Sequence, residues 1–78
     1  MRLLKSVPHP IFGITLYSVN DKYLVKFEKA GVELGIKLLE SEIISLELLL
    51  NKIQDPNFID KIKVQFNSLD NLVLELAE

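Results

Sequence analysis

One histidine, no cysteine and eleven acidic side chains are the raw material for chemistry in this chain of 78 residues. Without a thiol there is no disulfide, no thiolate metal site and no cysteine nucleophile. His9 stands alone between Pro8 and Pro10. Zinc or iron needs several donors converging on one point, and a lone ring in a stiff frame does not supply them. As a general base it would need a nucleophile within reach, and no residue pattern designates one. His9 therefore reads as a surface residue of a rigid lead-in. Glu40, Glu42 and Glu47 cluster at the start of a helical stretch, where the positive end of the helix dipole favours carboxylates. Hydrolysis by paired carboxylates would also need a cleft, and a chain this short has little material to build one. Gly13, Gly31 and Gly35 lack the spacing and the loop-to-helix context of a phosphate loop. No catalytic residue, metal ligand or cofactor is designated, and the reading is of a non-enzyme.

Two constellations concern binding instead. Lys22, Lys26 and Lys37 interleave with Tyr17, a combination that can hold single-stranded nucleic acid by charge and stacking. Sheet modules that do so present two or three aromatics and a basic excess. Here Glu28 and Glu33 oppose the lysines, so a solvated face with cross-strand ion pairs is the better reading. The second constellation is a surplus of apolar side chains that lie beside or off the helical stripes: Leu48, Phe58, Val64, Leu72 and Leu74. Leu72, Val73 and Leu76 on the last helix, with Tyr17 and Leu24 on the outer sheet face, are the candidate contact residues for a partner.

These residues are positioned by elements that composition and periodicity outline. At 49% hydrophobic and 26% charged, the chain is ordinary globular material. Its length fits a single domain spanning residues 1–78. Met1 to Lys37 carries six bases against three acids, and Leu38 to Glu78 three bases against eight acids. Such asymmetry serves either an anionic partner or attraction between the two halves, the second being the plainer. Lys5, Ser6 and Pro8 interrupt the apolar start, so no secretory signal is expected. No run approaches the ~18 apolar residues of a membrane span. A cytoplasmic protein is the default expectation.

From Ile11 to Leu39 the hydrophobic period is two. Phe12, Ile14 and Leu16, then Tyr23, Val25 and Phe27, then Val32, Leu34, Ile36 and Leu38 alternate with other residues. Asn20-Asp21 and Ala30-Gly31 supply two-residue turns tolerant of positive φ. Loops of that length place Leu16 opposite Val25, Ile14 opposite Phe27, Phe27 opposite Leu34 and Val25 opposite Ile36. All the apolar sets then share one face, and a slip of one residue would break the agreement. Farther on the period becomes helical. Leu46, Leu49, Leu50 and Ile53 form one stripe, with Ser41 or Ser45 as N-cap. Asp55-Pro56 restarts a helix, along which Ile59, Ile62, Phe66, Leu69, Val73 and Leu76 follow at spacings of three and four. The expected architecture is α+β: a three-stranded antiparallel β-meander (β-β-β-α-α) with two C-terminal helices packed on one face.

Val7-Pro8-His9-Pro10, then Ile14-Thr15-Leu16-Tyr17, Asn20, Lys22-Tyr23 and Lys26, resembles the start of a group of small uncharacterised bacterial proteins. These share a Pro-His-Pro lead-in, a β-hairpin with asparagine at its turn, and a helical second half. The resemblance covers about the first 28 residues, implies a bacterial cytoplasmic protein and lends no site residues.

The surplus apolar side chains favour a non-catalytic protein-interaction module that homodimerises through its C-terminal helices and presents a surface to another protein. The alternative is a weak binder of nucleic acid or another polyanion through Lys22, Lys26 and Lys37.

Overall fold

A computed structural model describes residues Met1–Ala77. The elements run β1 (Arg2–Val7), β2 (Gly13–Val19), β3 (Lys22–Lys29), β4 (Val32–Leu39), a 3-10 turn (Glu40–Glu42), α1 (Leu46–Gln54) and α2 (Pro56–Ala77). The protein is α+β, with an antiparallel sheet and two C-terminal helices. The sheet has four strands in the order β1-β2-β3-β4, which corrects the expected three. The added strand is Arg2–Val7, and its alternation is hidden by a bulge between Leu3 and Lys5. Leu3 pairs with Tyr17 on one face, whereas Val7 pairs with Ile14 on the other. An unbroken period of two would have put both on the same side. Pro8 and Pro10 then mark where the ladder stops, because neither can donate to it.

The two hairpins follow the expected register throughout. Ile14 faces Phe27 and Leu16 faces Val25, while Phe27 faces Leu34 and Val25 faces Ile36. Asn20 takes φ 54°, and Ala30 and Gly31 take 52° and 81°. Asparagine and glycine adopt that left-handed region readily; alanine does so against its Cβ. Ala30→Gly is therefore expected to raise stability by up to about 1 kcal/mol, the greater freedom of glycine in the unfolded chain offsetting part of the relieved strain. A urea titration measures it.

The chain resolves into two compact units, Met1–Ile43 and the residues from Ile44 onward. In the first, Val7, Phe12, Ile14, Leu16, Val25 and Phe27 are buried, Phe27 completely. Phe12 and Phe27 meet edge to face with centroids 6.2 Å apart. Leu34 and Ile36 are only half-buried, as suits an edge strand with a neighbour on one side. In the second unit, the Ser45 hydroxyl accepts the Leu48 N–H at 3.1 Å and so caps α1. Ser41 lies in the 3-10 turn, which has no side-chain cap. Of the three clustered acids only Glu47 falls in the first turn of α1; Glu40 and Glu42 belong to the 3-10 turn. Pro56 opens α2, and the Asp55 carbonyl accepts the Ile59 N–H at 2.9 Å. Leu49 and Ile53 of α1 are buried, as are Ile59, Ile62 and Phe66 of α2.

Candidate functional site

Among the described residues, those that are buried are all apolar. Among the described residues no group of three or more histidine, cysteine, aspartate or glutamate side chains is placed to hold a metal ion. The chemistry-bearing residues lie at the surface, and each has a local geometry.

His9 is used by the backbone. Its Nδ1 accepts the N–H of Ile11 at 3.1 Å and of Phe12 at 3.3 Å, which leaves the ring proton on Nε2. The ring also stacks on Phe12, with centroids 5.6 Å apart and planes 28° from parallel. The imidazole thus closes the bend between β1 and β2, a role visible only once the chain is folded. His9→Phe keeps the ring and deletes the acceptor, so it is expected to cost about 1 kcal/mol. His9→Asn offers a side-chain carbonyl in its place and is expected to recover part of that; thermal unfolding of the two variants checks the order.

The outward face of the sheet carries the expected rows, extended by β1. One runs Leu3–Tyr17–Leu24–Lys37 and the next Ser6–Thr15–Lys26–Gly35. Beyond them, Val19–Lys22–Leu39 closes one end of the face and Gly13–Glu28–Glu33 the other. Leu24 leans across the glycine, its Cδ1 lying 3.3 Å from where a Cβ on Gly35 would stand. Leu24 therefore has Tyr17 beside it on β2, Lys22 and Lys26 along its own strand, and Lys37 opposite on β4. Among the described residues, Lys26 pairs with Glu33 at 3.3 Å while Lys22 and Lys37 make no ion pair.

At the acidic end Glu28 and Glu33 lie directly opposite. A hydrogen bond with the Glu28 carboxyl, then the hydrogen bond and charge of Lys26, hold Glu33 below the usual glutamate range. A lowered folded value adds stability above the unfolded pKa, and that stability is lost as pH falls through the lowered one. Lys26→Met is expected to move the Glu33 titration upward, whereas Glu28→Gln keeps a donor and leaves it low; carbon-detected NMR titration reads both. Tyr23 behaves oppositely. Desolvation, then the charge of Glu40 and its hydrogen bond, push the phenol up. It favours the folded state below its ordinary range, and that contribution fades as pH rises through the elevated value.

The remaining candidates lie on α2. Its apolar stripe is buried at Ile59, Ile62 and Phe66 and half-buried at Leu69. It then continues into the open: Leu72 is 52% exposed, Val73 47% and Leu76 88%. Tyr17 and Leu24 are half-buried cross-strand partners, so the five candidates form two separate groups, one on each unit. Leu3 and Leu39, both exposed, join the sheet group; the bulge in β1 concealed the first, and the second sits at the far end of β4. Among the described residues, no helix is long and apolar enough to cross a membrane.

Comparison of the chain with protein-family models, with curated proteins and with solved structures finds no match.

Proposed function

We propose that this protein is a non-catalytic interaction module, one domain over residues 1–78, that pairs with a second copy of itself through the end of α2. The supporting observation is the helical stripe that passes from full burial at Phe66 to open exposure at Val73 and Leu76. A run of apolar side chains at spacings of three and four, maintained where Leu72 and Val73 are about half-exposed and Leu76 almost fully so, is what a helix–helix or helix–sheet seam requires. Leu72, Val73 and Leu76 supply the apolar contact. Charge at its rim sets orientation. The proposed setting is the cytoplasm of a bacterium, in line with the Pro-His-Pro resemblance. Light scattering across a concentration series tests the assembly: the mass is expected to rise from 8.9 kDa toward twice that value. A constant monomer mass at high concentration removes the proposal. A second reading, polyanion binding through Lys22, Lys26 and Lys37, draws on Lys22 and Lys37, which make no ion pair among the described residues. It fails if an oligonucleotide does not bind at low salt.

A further inference from the structure

On the footing of that self-association, we propose that the end of α2 docks not on a second α2 but on the outer sheet face of the other copy, around Leu24. Charge decides between the two receivers. From Val64 to the end of the chain there is no basic residue. Asp70 and Glu75 are its charged residues within the described part, and neither makes an ion pair there. At about 100° per residue they flank the stripe of Leu69, Leu72, Val73 and Leu76, each about 110° from its centre. Pairing two α2 ends would bring four carboxylates around one seam with no cation among them. Lys63, the last base of the helix, lies about two turns earlier and is 3.8 Å from Asp60. Like charges at such a seam oppose association.

The sheet face is the complement. Leu24 and Tyr17 give an apolar centre, and Lys22 and Lys37, without an ion pair among the described residues, stand at its rim. Lys22 and Lys37 sit on adjacent strands two residues apart in register, a Cα separation of about 8 Å. Asp70 and Glu75 are separated by about 7.5 Å along the helix axis. The charges on the two surfaces are thus opposite in sign and comparable in spacing. Area points the same way. The free helix end offers about 400 Å², at roughly 100 Å² for each of four side chains. A stable interface takes about 800 Å² from each partner. A copy that gives its helix end and also receives one on its sheet reaches that size; a copy that uses only the helix end does not.

The test is a charge swap combined with single-cysteine trapping, made simple by the absence of native cysteine. Lys22→Glu with Lys37→Glu is expected to weaken association about tenfold or more. Adding Asp70→Lys and Glu75→Lys to the same chain is expected to restore it. Mixing a Leu72→Cys preparation with a Lys37→Cys preparation under mild oxidation should give the mixed disulfide dimer in preference to either self-linked one. A self-linked Leu72→Cys dimer as the main product overturns the sheet as receiver while leaving the homodimer standing. So does association that is indifferent to the lysine reversals. An unmodified chain that stays monomeric at every concentration overturns both proposals. Oligonucleotide binding that is lost with Lys22 and Lys37, while self-association survives their reversal, assigns the face to a polyanion and overturns this one.

Discussion

Phe27→Ala is expected to remove about 3–5 kcal/mol of stability, against a total of about 4–12 kcal/mol for a chain of this length. The ring is wholly buried. It stands in β3 between Ile14 and Leu34 and meets Phe12 edge to face. Truncation therefore loses the transfer energy of the ring, the aromatic contact and the packing of both cross-strand neighbours. An interior strand has no freedom to collapse into the gap, because ladders on both sides fix its backbone. Phe27→Leu retains most of the volume and is expected to cost about 1.5 kcal/mol or less. Val64→Ala, on an exposed side chain of α2, should fall within about 0.5 kcal/mol of the parent. Urea unfolding orders the three. A Phe27→Ala midpoint close to that of Val64→Ala would contradict the burial of the aromatic pair.

Val73→Asp is expected to weaken self-association about thirtyfold or more, which corresponds to about 2 kcal/mol at a central contact. A carboxylate there is set between Leu69, Leu72 and Leu76 and adds to the charge of Asp70 and Glu75. Because Val73 is already about half-exposed, the dilute monomer should keep its helical signal and unfolding midpoint. Val64→Asp is the matched control. Val64 is 60% exposed on the same helix but lies about 130° from the centre of the stripe, so its replacement should leave association unchanged. Sedimentation of both variants over a concentration series reads the contrast. Equal behaviour of the two would mean that α2 does not make the contact.

Most of the sheet could be read from the order of residues because two short-range constraints agree. The two-residue turns at Asn20-Asp21 and Ala30-Gly31 each fix a register, and the alternating apolar residues demand the same one. The first strand was legible only as a stiff, strand-like lead-in and not as a paired member of the sheet, because a bulge moves Leu3 to the face opposite Val7 and a single inserted residue leaves no mark in the period. The start of α1 had two candidate serines of equal local merit. The 3-10 turn at Glu40–Glu42, anchored by the Glu40 N–H on the Asp21 carbonyl at 3.0 Å, takes up Ser41 and leaves Ser45 as the cap. That hydrogen bond joins residues far apart in sequence, so no local pattern announces it. The candidate contact residues were legible, and so was their division between the last helix (Leu72, Val73 and Leu76) and the outer sheet face (Tyr17 and Leu24), because turn-fixed register and helical period each assign a face. The spacing of Ile59 to Leu76 is uniform, and only the fold reveals that its first half is covered and its second half is open. The acceptor role of His9 was equally hidden, since it depends on the bend that brings two amides under one ring nitrogen.

Every ladder in the sheet joins strands that follow one another along the chain, and two of the three links are loops of only two residues. Such a topology shapes kinetics as much as architecture. Little loop entropy has to be surrendered before contacts form, and each hairpin can close on the scale of about 1–10 μs. The sheet can thus zip from either tight turn without waiting for distant segments to meet, and its refolding is expected to be fast for a β-rich unit. Lengthening the Ala30-Gly31 loop with a flexible insert should slow refolding more than it accelerates unfolding if that turn belongs to the nucleus.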